Sequence, residues 1–393
     1  MVSLELASML LFFVIVSILI YRDRKNIEFS YGIVIKRWKK GKELIDKIVN
    51  KRRKFIAYAG TVGVIAGVIA SFIGMYFLLS CAFFPQLLPD GTVEKGCFKL
   101  VLPSVSGAEK YYPQQVFGIP FWYWLISIFV IIFFHESMHA VYARLEKVPV
   151  KSYGIMFLLA LPIGAFVDPD NNKLKRLSSF KKLRIYAAGS FGNFILAAFV
   201  ILLIFGTNYL TTLAFDPAGV SIGQLGENSP ALAVTMSGII YKINDVQVND
   251  LQALANFMDG VNPGDQLKIY TTDNTYDITT AKNPANESRA YIGISMLSTA
   301  YKYKFLSDSY ASKTTISIIV QLQSFLVILF ILSLGVGIAN MLPLKPFDGG
   351  LFYEEILMKK FGREKGKKII RASSWIVFLL IVFNLVIGPI KLF

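Results

Sequence analysis

Six apolar stretches decide what this chain can become. They run over about 3–21, 56–80, 117–140, 183–209, 314–342 and 370–392, and crossing a bilayer core as a helix takes about 20 residues. Within lipid only helices and closed barrels satisfy their own backbone N–H and C=O groups, so helices are expected. Hydrophobic residues make up 54% of the 393 and the mean hydropathy is +0.53, too apolar for an ordinary soluble domain. The expected fold class is a polytopic α-helical membrane protein of about six spans. The first stretch lacks a basic start and a small-residue cleavage site, so it is expected to stay as a span rather than leave as a signal peptide.

Orientation follows from charge. The formal net charge of +15 would suggest nucleic acid in a soluble protein, but loops rich in Lys and Arg on the cytoplasmic side explain it here, and no nucleic-acid partner is expected. Residues 22–54 are dense in both. They read as a solvated topogenic loop, or as a surface-lying helix that presents Trp38, Ile45 and Ile48 to anionic lipid. Counting spans onward puts 144–151, 173–184 and 359–371 inside, and 80–116 and 210–313 outside. The latter carries eight Asp and two Glu against six Lys and one Arg, the reverse of the whole chain's balance. Cys81 and Cys97 both fall outside, where a disulfide is permitted and two thiols are equally admissible. Asn286-Glu287-Ser288 fits a glycosylation acceptor on the same side.

One apolar stretch, 153–167 ("YGIMFLLALPIGAFV"), is too short to cross and is broken by Pro162 and Gly164. It lies between two inside segments, so a re-entrant segment that enters and leaves by one face is expected. Region 210–313 reads as a separate small domain. "VSIGQL" and "QLKIYTT" alternate as strands do. Asn249 or Asp250 is placed to cap a helix, and Ser229-Pro230 to start another. The expected division is 1–116 (two spans, basic loop, outer loop), 117–209 (membrane core, first part), 210–313 (outer domain) and 314–393 (membrane core, second part).

The chemistry sits in "IFFHESMHAVY", 132–142. It holds both histidines of the chain. On a helix His135 and His139 share a face one turn apart, so they can offer two imidazoles to one metal ion with Glu136 beside it as a base. Catalytic zinc usually takes three protein ligands and keeps a position for water. No third His exists and both Cys lie outside, so the third ligand is expected to be a carboxylate at similar depth. Asp348 in "NMLPLKPFDGG" qualifies, with Pro343 and Pro346 to break the helix and Gly349 and Gly350 to admit close backbone.

These residues resemble the site-2 protease family of intramembrane zinc metalloproteases. His135-Glu136-x-x-His139 matches its HExxH sequence, and Asn340, Pro343, Asp348 and Gly349 match its Asn-x-x-Pro…Asp-Gly sequence. "AAGSFGNFILA" (187–197) resembles its Ala-Gly-Pro…Asn stretch, with Asn193 in place. Ser190, Lys345 and Phe347 depart from the family pattern, at positions that bear on a substrate gate. The resemblance implies one zinc per chain on His135, His139 and Asp348, with Glu136 as base. It implies that Asn193 and Asn340 contact the substrate backbone or the oxyanion, although a hydrogen bond between packed helices is the plain alternative for either. It implies that the re-entrant stretch holds an extended substrate, and that 215–285 is a PDZ-like domain outside the cell that touches peptide or screens substrates. The expected substrates are single-span membrane proteins, cut within or near their transmembrane segment by an active site near the cytoplasmic side of the cell membrane. The rival readings are a non-catalytic scaffold and a metal transporter using the same His and Asp groups.

Overall fold

The computed structural model describes residues 2–30, 33–39, 42–84, 86–87, 93–94, 100–104, 116–158, 161–284, 286–295, 297–305 and 309–386. The chain divides into two compact units, Met1–Leu202 with Phe325–Phe393, and Leu203–Ser324.

The first unit opens with α1 (Val2–Arg22), β1 (Ile27–Ser30), β2 (Ile33–Trp38), α2 (Lys42–Lys51) and α3 (Arg53–Phe83). Short strands β3 (Gln86–Leu87), β4 (Val93–Glu94), β5 (Leu100–Ser104) and β6 (Val116–Pro120) lead to α4 (Phe121–Leu145). Pro120, which fixes its own φ and donates no N–H, marks where α4 starts. Then come β7 (Val150–Leu158), β8 (Leu161–Pro169), α5 (Asn171–Lys175) and α6 (Ser179–Ala214). The Asp170 side chain caps α5, accepting from Asn172 and Lys173 N–H. Cys81 is disulfide-bonded; Cys97, and most of 80–116, lie outside the described residues.

Strands β1, β2, β7 and β8 form one antiparallel sheet in that order. This corrects the expectation for 22–54. That segment is neither a solvated loop nor a helix lying free on lipid: β2 pairs with β7 from Ile33↔Leu158 to Trp38↔Tyr153, and Trp38 stacks on Tyr153. Val49 of α2 is buried beside Tyr142 and Leu145, with Ile45 packed against them, leaving Ile48 exposed. The stretch 153–167 is the β7–β8 hairpin, with Tyr153 opposite Val167. Its two ends meet, since Asp170 N–H donates to Pro149 O at 2.8 Å, so the hairpin returns to where it began.

The second unit is a small α/β domain. Its sheet runs β14 (Thr275–Thr279), β13 (Gln266–Thr271), β11 (Ile239–Ile243), β9 (Phe215–Ser221) and β18 (Ser298–Tyr303), and β12 (Val246–Gln247) pairs β11. Helices α7 (Pro230–Ala233) and α8 (Leu251–Met258) join Val220, Ile240, Ile269 and Leu254 around one core. The caps are those the sequence offers: Ser229 Oγ accepts from Leu232 N–H, and the Asp250 carboxylate, not Asn249, from Ala253 N–H.

Three helices follow, α9 (Lys313–Asn340), whose part from Phe325 belongs to the first unit, α10 (Asp348–Phe361) and α11 (Arg363–Val386). Among the described residues six helices, α1, α3, α4, α6, α9 and α11, are long and apolar enough to cross a membrane, in the six places expected. Their ends differ from expectation by a few residues, and 387–393 lie outside the described residues. The protein is an integral membrane protein. Two buried clusters join α3, α4, α6 and α10: Tyr142 with Ile56, Leu145 and Ile185, and Phe352 with Met341, Val64 and Ala187. At the same end, ion pairs tie Arg144 to Asp46, Arg184 to Glu146 and Lys182 to Glu355. That end is therefore the polar one.

Candidate active site

On α4, His139 lies six residues before the helix end at Leu145 and His135 ten before it. At 1.5 Å per residue they stand about 9 and 15 Å inside the polar end. Asp348 arrives by another route. Pro343 follows the end of α9, the chain turns, and Asp348 opens α10. Gly349 and Gly350 are necessary there: a Cβ on Gly349 would overlap the backbone of Met341 and Leu342, and one on Gly350 would stand 2.8 Å from Leu344 O and Lys345 N. The turn is folded flat onto the first turn of its own helix.

The three side chains meet. His139 Nε2 is 3.0 Å and His135 Nε2 3.2 Å from Asp348 Oδ2, and the two Nε2 atoms are 3.2 Å apart. All three are mostly buried, with 12–18% of each side chain exposed. Ligands about 2.0–2.1 Å from a tetrahedral zinc ion stand about 3.3 Å from one another, so the triangle is close to what such an ion needs.

Two further observations favour a cation. His139 Nδ1 lies 2.8 Å from Ile185 O, so the neutral ring carries its proton there and aims an Nε2 lone pair at a carboxylate oxygen. In that form the two lone pairs, facing at 3.0 Å, need a positive charge between them, which a metal ion supplies as a proton would. Gly189 of α6 leaves the neighbouring space open, since a Cβ there would overlap both Nε2 atoms. A larger residue would fill the cradle. The residues present fit zinc.

Glu136 stands beside the triangle with Oε2 accepting from Val167 N–H at 2.8 Å. That N–H points away from β7 along the free edge of β8. Asn193, fully buried on α6, places its amide 3.2 Å from His135 Nδ1. With Nε2 turned to an ion, His135 carries its proton on Nδ1, and the Asn193 amide oxygen is the group that can accept it; the two ends of an amide exchange by a flip. Ser333 of α9 donates to Asn193 O at 2.8 Å. Asn340 ends α9, and among the described residues its side chain has no hydrogen-bond partner. The structure thus brings together His135, Glu136, His139, Asn193 and Asp348, and leaves Asn340 outside their contacts. Gly189, Val167 and Ile185 also build the site but are not among the expected residues. Gly189 had a signal, for it stands in the run Ala187-Ala188-Gly189-Ser190 of small residues within a span, the kind that lets helix backbones approach closely. Ile185 and Val167 contribute backbone atoms, which no residue type announces.

A model of peptidase family M50 matches residues 123–383, more than half of the chain, with every site residue inside it. The chain belongs to peptidase family M50. This is the site-2 protease family, and the expectation drawn from the HExxH and Asn-x-x-Pro…Asp-Gly residues holds at that level. Among relatives of this M50 member, an uncharacterized protein of Methanocaldococcus jannaschii is 28% identical over 345 residues, 86% of this chain and 81% of the relative. A Clostridium acetobutylicum protein named "Putative zinc metalloprotease" is 24% identical, over 68% of this chain and 95% of its own. A protein of Arabidopsis thaliana, named as a homolog of membrane-bound transcription factor site-2 protease, is 35% identical over 83 residues, 21% of this chain and 16% of its own. Family, relatives and donor set together make this a metalloprotease of the site-2 type.

Proposed function

We propose that this M50 member hydrolyses peptide bonds within or near the transmembrane segment of single-span membrane proteins. The observation that carries the reading is Glu136, set beside the His135–His139–Asp348 triangle while its carboxylate also reaches the free edge of β8. His135, His139 and Asp348 would hold one zinc ion, which when bound acidifies a water and polarises a carbonyl. Val167 N–H fixes Oε2 of Glu136 and leaves Oε1 to take the proton of the attacking water. Glu136 then delivers that proton to the amide nitrogen as the C–N bond breaks. A helical substrate hides its carbonyls, so it must unwind, and the outward N–H and C=O groups of β8 can pair with the extended chain. Asn193 holds His135, and in this reading its NH2 group donates toward the oxyanion.

The basic residues of 22–54 support an active site near the cytoplasmic side, and the acidic surplus of 210–313 supports an outer location for the second unit. In this reading that unit is a PDZ-like domain that touches or screens substrates. The test is reconstitution of the purified chain with candidate single-span substrates. Cleavage that stops with chelator and in Glu136→Gln, with metal retained in that variant, is expected. Cutting that persists in Glu136→Gln would reject the assigned base. Metal transport without cleavage would favour the transporter reading.

A further inference from the structure

A cavity of about 610 Å3 opens where α11 leaves the Asp348 turn. Its wall carries Lys345, Glu354, Lys367 and Arg371, with Trp375 and Phe378 beyond them. On α11 residues 367, 371, 375 and 378 lie along one face, at spacings of four, four and three. The face changes character along its length. Its start is cationic and half-exposed, whereas Trp375 and Phe378 are 61% and 46% exposed in a helix apolar enough to span. Tryptophan at such a border is characteristic of the headgroup level of a bilayer.

The charges do not cancel. Lys345 pairs with Glu354 at 2.7 Å, which satisfies the one carboxylate of the wall. Among the described residues Lys367 and Arg371 have no ion-pair partner. An uncompensated ammonium and guanidinium over one cavity ask for an anion, and the guanidinium fork suits a phosphate. Volume and exit say which kind. The cavity falls in the range of ligand sites, about 300–1,000 Å3, well beyond an inorganic anion, and its far side runs onto apolar, lipid-facing surface. A phosphodiester with acyl chains matches both ends.

We propose that this cavity is a binding site for one anionic phospholipid, its phosphodiester held by Lys367 and Arg371 and its chains lying along Trp375 and Phe378. The site is distinct from the metal triangle and does not depend on hydrolysis. It does touch the turn that delivers Asp348, because Lys345 N–H donates to Ser374 Oγ of α11 at 3.1 Å.

The test titrates the delipidated full-length chain in neutral detergent with dioleoyl phosphatidylglycerol, dioleoyl phosphatidylcholine and inorganic phosphate, counting bound lipid by native mass spectrometry. One phosphatidylglycerol per chain is expected, bound at least about tenfold more tightly than phosphatidylcholine. Lys367→Gln/Arg371→Gln should weaken it about thirty-fold, two cations each attracting the headgroup. Lys173→Gln/Lys175→Gln, an equal charge loss on the exposed helix α5, should leave it unchanged. Equal binding of the two lipids, or equal loss in the two double variants, would overturn the proposal. Displacement of phosphatidylglycerol by an equal concentration of inorganic phosphate would show a free-anion site instead. If the double variant aggregates, brominated phosphatidylglycerol serves with the native chain: it should quench tryptophan fluorescence, and Trp375→Phe should abolish most of that quenching. Quenching that survives Trp375→Phe overturns the placement.

Discussion

Replacing Gly189 by alanine adds a single methyl group and should empty the metal centre. The added Cβ would overlap His135 Nε2 and Cε1 and His139 Nε2, two of the three donor atoms. The rings cannot retreat freely, since His139 is held by Ile185 O and His135 by Asn193. Nor can α6 move off, because Gly192, one turn on, packs against α4 so closely that its own Cβ would lie 2.6 Å from Met138 Cγ. Overpacking a core costs about 1–3 kcal/mol, while Ala for Gly within a helix returns about 1 kcal/mol. Net destabilisation should therefore be at most about 2 kcal/mol, and the chain should fold. Metal affinity should fall by more than the about 10–100-fold that losing an outer partner costs, because the ligand atoms themselves are displaced. The assay is a competition titration against a chromophoric chelator with metal content by mass spectrometry, run beside thermal unfolding. Gly206→Ala on the same helix, where a Cβ meets nothing within 4 Å, is the control and should keep its metal. A Gly189→Ala protein that holds zinc as tightly as the native chain would refute the placement of the ion.

Other expectations separate the roles within the site. Asp348→Ala should fold and lose metal more completely than any outer-partner variant, read by the same titration. Asn193→Ala should weaken zinc about 10–100-fold if the amide orients His135; slower cleavage with unchanged affinity would assign it to the substrate instead. Val167→Pro removes the N–H that Glu136 uses but no bond to β7, as edge positions tolerate, so turnover in the cleavage assay should fall while metal content stays. Phe352→Ala, which truncates a fully buried ring between α3, α6 and α10, should cost about 3–5 kcal/mol in unfolding measurements.

The six spans were legible because a continuous apolar run long enough to cross leaves little choice. His135, Glu136 and His139 were legible because helical geometry alone brings them together. Asp348 followed from ligand counting in a chain without a third histidine. The caps at Ser229 and Asp250 were local and could be read locally. The β7–β8 hairpin was placed but not recognised as strands, since an unbroken apolar run hides the alternation that marks them. Strands β1 and β2 were missed altogether. The partner of β2, β7, lies more than a hundred residues away, and basic residues between two spans look like a loop. The backbone groups at Ile185 and Val167 could be found only in three dimensions.

Asp348 follows His139 by 209 positions. At about 5–20 residues per second of synthesis, the ribosome needs about 10–40 s to supply the last donor after the imidazoles have emerged. Throughout that interval the two imidazoles stand without their third donor. A product terminated before Asp348 would therefore carry both imidazoles but lack the carboxylate that completes the ligand set.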